Sequence, residues 1–456
     1  MTTAPGPNSF PVPYAGAERQ SWRAIAKGLG RNALAGFPPR AFEEMAVARS
    51  FVGRQQIILS DPSGIRHILI ENAENYRRTA SVFRLLGPVL GNGLFLAEGE
   101  DWRAQRRTAA PAFAPRMMGS VAEHVARASD RLVGELAAQG GAEVNLFARL
   151  QLLTLEIAAT ALFSLDIAGE APALRSEMRG YAGGIGRPTL LDFLTPRGLP
   201  VPRSWARWRF RRRWMARIAG IIAARRAEPM ANPLANPLAD PPRDLFDMMA
   251  AAAIGKRRLV EETATMLVAG QETTAIALLW SLYLAASVPG VQERIFAEAA
   301  RLDLGPAGAA AALPHLVYAR AVIDEALRLY PPAFSIVRQA RSADEAGGVM
   351  IPARAVVLIV PWVLHRHHRL WRDPDNFDPS RFLPGAEPPA RFSYLPFGAG
   401  PRACVGAQFA LTESVLVLAR LIQVFRIELA GDRPVLPLAT ITLQPDHSPP
   451  FRLLPR

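Results

Sequence analysis

The chain has 456 residues, of which 50% are hydrophobic and 20% charged, with a formal net charge of +13 and a single cysteine. This apolar content can bury a large core, which excludes the disordered and fibrous classes. One cysteine forms no intramolecular disulfide, so a secreted disulfide scaffold is excluded and a reducing, cytoplasmic compartment is predicted. No break in composition separates two cores, so we predict one large domain.

The first 40 residues combine prolines, glycines and charged residues, without an apolar stretch long enough for a signal peptide or a membrane anchor. We therefore predict an N-terminal extension without an anchor over residues 1–40 and a folded domain over residues 41–456. The longest apolar region, about residues 266–288, is interrupted by Gln271 and Glu272. A buried helix is predicted there rather than a transmembrane span.

Periodicity predicts a mainly α fold with a small β-rich lobe. The predicted helices cover residues 122–138, 149–165, 261–287 and 407–424. The predicted strands cover residues 55–60, 355–360 and a C-terminal pair around Ile441 and Phe451. The tandem repeat ANPLANPLAD over residues 231–240 precedes two prolines, so we predict a surface loop.

The positive charge comes from arginine, and residues 203–226 combine many arginines with Trp205, Trp208 and Trp214. This composition is compatible with binding to nucleic acid or to a membrane surface. However, one helical face would hold the apolar residues Trp214, Ile218, Ile221 and Ile222. We favour an ordinary amphipathic helix, expect no nucleic acid as partner, and leave membrane contact open.

The only cysteine, Cys404, lies in the run FGAGPRACVG over residues 397–406, directly before a predicted helix. A helix N-terminus is expected to lower the pKa of the thiol, and glycines let the backbone approach the sulfur and a flat ligand. A thiolate of this kind is suited to ligate heme iron. The alternatives are a dinucleotide-binding turn, disfavoured by Pro396, and a nucleophilic cysteine, for which no local signature exists.

This run resembles the heme-binding loop of the cytochrome P450 family. The resemblance implies that Cys404 is the axial ligand of the iron of heme b, and that Phe397 and Gly398 lie beside the thiolate. It also implies that Arg402 reaches a heme propionate. Two more candidates for the propionates are Arg106, four residues after Trp102, and Arg338.

Glu325 and Arg328 share one face of a predicted helix that ends before Pro331. By itself such a pair is a surface ion pair, which contributes up to ~1 kcal/mol. The Glu-x-x-Arg pattern and the later run NFDPSRF also resemble two structural motifs of the family. The resemblance implies a network of Glu325, Arg328 and Arg381 behind the heme, although Ser380 replaces a glutamate that many members carry.

The run AGQETT over residues 269–274 lies in the middle of the long apolar helix. By itself it indicates a threonine bonded to the carbonyl four residues earlier, which bends a helix. It resembles the distal helix of the family, which implies a distortion at Ala269 and Gly270. There Glu272 and Thr273 would manage protons for O2, and Ala269 would border heme and substrate.

Two further segments are interpreted through the same resemblance. Ala333 and Phe334, just after two prolines, match a loop that touches substrate. His365, His367 and His368 could suggest a metal site, but no second group of ligands accompanies them, so we favour a structural role.

The resemblance implies a heme-thiolate monooxygenase that inserts one oxygen atom of O2 into a hydrophobic molecule such as a fatty acid, terpenoid or steroid. The chain ends about fifty residues after the cysteine. Electrons are therefore expected from NAD(P)H through a separate ferredoxin reductase and ferredoxin, which would dock at Arg103, Arg107 and Arg402. A peroxide-using or isomerising enzyme of the same fold and a heme-based gas sensor stay as alternatives.

Overall fold

The computed structural model describes residues 8–10, 12, 28, 30–227, 244–252 and 254–456. The loop predicted over residues 231–240 and most of the predicted N-terminal extension lie outside the described residues. The described part is a mainly helical body with a small sheet-rich lobe, which confirms the predicted fold class.

Helices form most of the body. Those of the N-terminal half are α1 (Pro62–Arg66), α2 (Ala80–Leu90), α3 (Gly99–Ala109), α4 (Met118–Ala137), α5 (Leu146–Phe163), α6 (Ala171–Gly183), α7 (Leu190–Leu194) and α8 (Ser204–Ala227). Those that follow are α9 (Leu245–Ala251), α10 (Lys256–Ser287), α11 (Val291–Ala299), α12 (Ala309–Ala312), α13 (Val317–Leu329), α14 (Pro361–Leu364) and α15 (Ala407–Val424). Single turns of 3-10 helix, such as Pro379–Phe382 and Gly400–Arg402, join several of them.

The strands form small sheets at the periphery. They are β1 (Ala46–Phe51), β2 (Arg54–Leu59), β3 (Tyr76–Arg77), β4 (Glu143–Val144), β5 (Ile336–Ala340), β6 (Asp344–Ala346), β7 (Val349–Ile351), β8 (Val356–Ile359), β9 (Phe425–Leu429), β10 (Pro437–Ala439), β11 (Leu443–Pro445) and β12 (Phe451–Pro455). The largest sheet has the order β1-β2-β8-β5-β3, and its β2 and β8 run parallel. Side chains of this sheet, including Ile57, Leu59 and Val357, belong to an apolar cluster separate from the main core.

The central element is α10, which packs against α5, α13 and α15. Its apolar side chains are buried on most sides, because neighbouring helices surround it. Trp280 of this helix stacks on Tyr330 just after α13, with ring centroids 3.9 Å apart and planes 5° apart. The long apolar region is therefore a buried helix, as predicted.

Most predicted elements exist, with shifted ends. The helix predicted over residues 407–424 coincides with α15, and the other three begin three to five residues earlier than predicted. Strands exist at both predicted C-terminal positions, β11 just after Ile441 and β12 from Phe451. They do not pair with each other: β12 pairs with β9 and β4, whereas β11 pairs with β10, because the partner of a strand is chosen by distant residues.

Two described helices, α5 and α15, are long and apolar enough to cross a membrane, and the bent pair α10 and α11 passes the same test. Both single helices are 67% buried inside the body, so their apolar surface is used by the core. Leu34 and Phe37 already pack into this core. The boundary at residue 41, the absence of an N-terminal anchor and the cytoplasmic location stay predictions.

Candidate active site

The cysteine loop, residues 395–406 between α14 and α15, is held in shape by hydrogen bonds of its own backbone. The Cys404 amide donates to the Phe397 carbonyl at 2.9 Å, and the Gly398 amide donates to the Leu395 carbonyl at 3.1 Å. Gly398 and Gly400 have φ of +68° and +72°, a region that favours glycine. A Cβ on Gly400 would lie 2.2 Å from the Leu69 carbonyl oxygen, so no larger residue fits there.

Cys404 lies three residues before the start of α15, and its side chain is exposed. Protein nevertheless surrounds the thiol on its other sides, and this burial raises its pKa. The Gly406 amide and the positive charge of Arg106 act in the opposite direction, with smaller effects. The predicted lowering of the thiol pKa is therefore wrong for the protein by itself, because the desolvation of a thiolate outweighs the helix N-terminus.

Two residues of helix α3 contact the cysteine loop. Arg106 donates to the Ala403 carbonyl at 3.0 Å, next to the cysteine. Arg402 lies 4.2 Å from the centre of the Trp102 ring and donates to the Ala97 carbonyl at 2.7 Å. The structure thus brings Trp102, Arg106 and Arg402 together with Cys404.

Three half-buried arginines form a cationic cluster beside this loop. Burial and the charges of Arg338 and Arg402 lower the pKa of Arg78 to about 9. Burial and the charge of Arg338, with a smaller effect of Arg106, lower the pKa of Arg402 to about 10. Among the described carboxylates, Glu98 is the one that acts on Arg78, Arg338 and Arg402 alike. The cluster carries excess positive charge and suits a ligand with two carboxylates.

Arg78 was missed by the sequence analysis. It follows β3, and β3 pairs with β5 so that Arg77 lies opposite Gln339. This pairing brings Arg78 to Arg338 across a gap of more than 250 residues. No local pattern around residue 78 indicates that contact.

The two predicted catalytic residues on α10, Glu272 and Thr273, have different hydrogen-bond partners. The Thr273 hydroxyl donates to the Ala269 carbonyl at 2.6 Å, which is the bonding expected from the residues by themselves. The Glu272 carboxylate accepts from Thr442 at 3.0 Å and from Gln444 of β11. Burial raises the pKa of Glu272, against the effect of these two donors.

The predicted distortion of α10 is not found. The α-helix continues from Lys256 to Ser287, through Ala269 and Gly270. Ala269 is exposed and Thr273 is half-buried, although most residues of this helix are buried. The middle of α10 is therefore open on one side without a break in the helix.

Glu325, Arg328 and Arg381 meet as predicted, but deep inside the protein. The Glu325 and Arg328 side chains are 0% exposed and form two hydrogen bonds of 2.7 Å. The Arg381 Nε lies 3.5 Å from a Glu325 carboxylate oxygen. The interpretation as a surface ion pair is therefore excluded. Ser380, the departure from the family pattern, donates its hydroxyl to Asp378 instead.

His365 links this network to the cysteine loop, a role that the sequence analysis did not identify. Its Nε2 accepts from the Leu395 amide at 2.8 Å, and its Nδ1 lies 3.3 Å from the Arg328 carbonyl oxygen. Within the described residues, no group of three or more histidine, cysteine or acidic side chains could hold a metal ion. The contacts of His365 with Leu395 and Arg328 are those of a structural residue, the role that we favour for it.

The two candidates for substrate contact differ in burial. Ala333 is exposed, whereas Phe334 is 8% exposed and belongs to the main apolar core. Ala333 is therefore accessible to a substrate, as Ala269 is, whereas Phe334 is not.

A scan of known families agrees with this geometry. The family described as Cytochrome P450 matches residues 45–448, so the chain belongs to the cytochrome P450 family. It is accordingly a cytochrome P450 monooxygenase, an oxidoreductase, and heme is the cofactor of its family.

Individual proteins extend the comparison. The chain is 32% identical over 402 residues to Cyclooctatin synthase of Streptomyces melanosporofaciens, covering 86% of this chain and 84% of that protein. It is 30% identical over 416 residues to LUTEIN DEFICIENT 5, chloroplastic, of Arabidopsis thaliana, covering 86% and 68%. The solved heme domain of cytochrome P450DA has the same fold, with a TM-score of 0.81, 23% identity and 98% coverage of both chains.

We predict that His365 makes stability depend on pH. Burial, with a smaller effect of the Arg328 charge, lowers its pKa to about 3, whereas a histidine in an unfolded chain titrates near ~6.5. Between pH 7 and pH 5 the unfolded chain takes up a proton that the folded protein does not accept. This residue should therefore remove about 2 kcal/mol from the free energy of unfolding over that interval.

The measurement is urea unfolding of the wild type and of His365→Gln at both pH values. Glutamine has no titration in this range, and its carbonyl can accept from the Leu395 amide. The variant should lose less stability on acidification than the wild type. Equal losses in the two proteins would contradict the assignment of a neutral, buried His365.

Proposed function

We propose that Cys404 ligates the iron of heme b and that Arg78, Arg338 and Arg402, with Arg106 and Trp102 beside them, hold its propionates. The observation that carries the proposal is the cationic cluster beside the only thiol. Heme b offers iron to a thiolate and two carboxylates to arginines, so one molecule would satisfy both. Iron would also supply the positive charge that stabilises the thiolate form of Cys404.

The protein groups around this cofactor have defined tasks in the proposal. Heme, when bound, supplies the redox chemistry that activates O2. Phe397 and Gly398 shield the sulfur, and the bond from the Cys404 amide to the Phe397 carbonyl maintains the loop. Glu325, Arg328 and Arg381 act at a distance by holding the segments that support the loop.

Thr273 is proposed to hold a water molecule for proton delivery on the open side of α10, and Glu272, which faces Thr442 and Gln444, is proposed to supply the proton. The Thr273 hydroxyl uses its proton on the Ala269 carbonyl, but its oxygen can still accept a hydrogen bond from a water molecule. Burial raises the pKa of Glu272, which favours its protonated form and suits a group that donates a proton. Its contact with Thr442 and Gln444 would connect that proton to the β10–β11 hairpin.

The proposed substrate is a hydrophobic terpenoid that receives one oxygen atom as a hydroxyl group. Relatives at about 30% identity include proteins named Cyclooctat-9-en-7-ol 5-monooxygenase and Carotene epsilon-monooxygenase, chloroplastic. Ala269 and Ala333 offer small apolar side chains to such a molecule. Terpenoids should shift the heme absorption spectrum on binding, more strongly than fatty acids of similar size.

A ferredoxin, reduced by a ferredoxin reductase with NAD(P)H, is the proposed electron donor. The three arginines predicted for its docking site are not equivalent. Arg402 turns inward onto Trp102, and Arg103 already pairs with Glu74 and Glu100. Arg107 is exposed and pairs with no described carboxylate, so it is the better candidate. Arg116 shares these properties, and the Phe113 ring between them lies 3.4 Å from the position that a Cβ on Gly406 of the cysteine loop would take.

Replacement of Cys404 by serine tests the iron ligand. The reduced wild type under carbon monoxide should give the absorption spectrum of thiolate-ligated heme, and Cys404→Ser should lose it. Arg402→Gln, the matched variant, should keep the thiolate spectrum but bind less heme, because only a propionate contact is removed. A spectrum of histidine-ligated heme in the wild type would contradict the proposal that Cys404 ligates the iron.

Thr273→Ala tests proton delivery. Heme content and the carbon monoxide spectrum should stay unchanged, since this residue is not an iron ligand. Product formation should fall about 10²-fold, the scale of assistance by a positioned acid. Consumption of NAD(P)H should fall much less, with the difference recovered as hydrogen peroxide. Thr273→Ser, which retains the hydroxyl, is the control, and an unchanged ratio of product to NAD(P)H in the alanine variant would show that Thr273 only shapes the helix.

The docking proposal predicts an effect of salt. Turnover with an acidic ferredoxin should fall as ionic strength rises, because screening shortens to about 8 Å near physiological salt. Arg107→Glu and Arg116→Glu should lower turnover more than Arg103→Glu, whose charge is already offset by two carboxylates. Equal effects of the three variants would argue against docking on this face.

A further inference from the structure

The surface around α7 and the start of α8 concentrates exposed apolar side chains. Nine large hydrophobic residues are exposed among the described ones, and five of them belong to this surface. We call it the α7–α8 patch, and its apolar members are Val52, Leu191, Leu199, Trp205 and Trp208. Trp205 is 65% exposed and Trp208 is 55% exposed, which is unusual for the largest apolar side chain.

Polar contacts bring the separate segments of the patch together. Arg207 of α8 forms a buried ion pair with Asp192 of α7, with side chains that are 4% and 0% exposed. Arg84 donates to the carbonyls of Thr195 at 2.6 Å and of Leu199 at 3.2 Å. The patch is therefore built on a fixed framework.

The β1–β2 turn joins the same framework. Arg54 donates to the carbonyls of Phe193 and Leu194, both at 3.2 Å, at the end of α7. Val52 belongs to this turn, which lies beside α7 for that reason.

The exposed tryptophans are not explained by the folding of α8. The buried face of the helix holds Trp214, Ile218, Ile221 and Ile222, as the amphipathic interpretation predicted. Trp205 and Trp208 lie three residues apart on another face and contribute little to that core. Exposed tryptophans lower the solubility of a protein, so we expect these two to contact another molecule.

The charged side chains of α8 all have one sign. The 24 residues of α8 include no aspartate or glutamate. The Arg209 guanidinium lies 4.7 Å from the Trp205 ring, and the Arg212 guanidinium lies 5.9 Å from the Trp208 ring. Both arginines are exposed, and neither pairs with a carboxylate in the described part of the chain.

We infer that the α7–α8 patch binds peripherally to the surface of an anionic lipid bilayer. Tryptophan rings favour the boundary between lipid headgroups and acyl chains, and arginine binds phosphate through two parallel hydrogen bonds. Leu191, Leu199 and Val52 would enter the same boundary. Duplex nucleic acid would satisfy the arginines but leaves these aliphatic side chains without a partner, so a bilayer fits the whole patch better.

The test is co-sedimentation of the purified holoprotein with vesicles. One set contains phosphatidylcholine only, and the other contains phosphatidylcholine and phosphatidylglycerol in equal amounts. The wild type should sediment with the anionic vesicles and much less with the neutral ones. Trp205→Ala/Trp208→Ala should abolish binding at low salt, and Arg209→Gln/Arg212→Gln should weaken it by about fivefold for each charge removed.

Two control variants match these changes elsewhere on the surface. Met350→Ala removes an apolar side chain that is 64% exposed, and Arg372→Gln removes a cation that is 94% exposed. Both should bind vesicles like the wild type. Because spectra and turnover are not used, the result is independent of the proposed heme chemistry.

Two results would overturn the inference. The first is equal binding of the wild type and the tryptophan variant to anionic vesicles. The second is tight binding of a duplex DNA oligonucleotide that depends on Arg209 and Arg212 but not on the tryptophans. That outcome would assign the patch to nucleic acid.

Discussion

The guanidinium group of Arg328 is the contact on which the rest of the site depends. It has five N–H donors, and each has an acceptor: the two carboxylate oxygens of Glu325 and the carbonyls of His365, Pro374 and Asn376. A buried ion pair is costly unless its remaining hydrogen-bonding groups are satisfied. In Arg328 all of these groups are satisfied. The residue therefore joins α13 to the irregular segment that follows α14, through the carbonyls of residues 365, 374 and 376.

Hydrogen bonds of that segment connect α13 to the cysteine loop. The His365 carbonyl is bound by Arg328, and the His365 ring binds the Leu395 amide, while the Leu395 carbonyl accepts from Gly398. From the other side, Arg106 holds the Ala403 carbonyl. A loop rich in glycine thereby obtains a defined shape from contacts on both sides, which a rigid ligand such as heme requires.

Arginine serves three different purposes in this chain. All N–H donors of Arg328 have acceptors, and its role is structural. Arg78 and Arg402 instead repel each other beside the cysteine loop and are suited to bind an anion. Arg209 and Arg212 lie over exposed tryptophans at the surface. The large positive charge of the sequence therefore does not indicate one partner, since burial and neighbouring charges decide what each guanidinium can bind.

The sequence by itself determined the local part of this protein. Apolar periodicity located α15 and the long helix α10, and spacing alone put Glu325 and Arg328 on one face. The contacts of the site were decided by the tertiary structure. The Arg78–Arg338 contact and the partners of β12 join residues far apart in the chain, and periodicity shows which face is buried without showing what covers it. The pKa of Cys404 rises rather than falls for a similar reason: a helix terminus is a local feature, but desolvation depends on every segment that packs around the thiol.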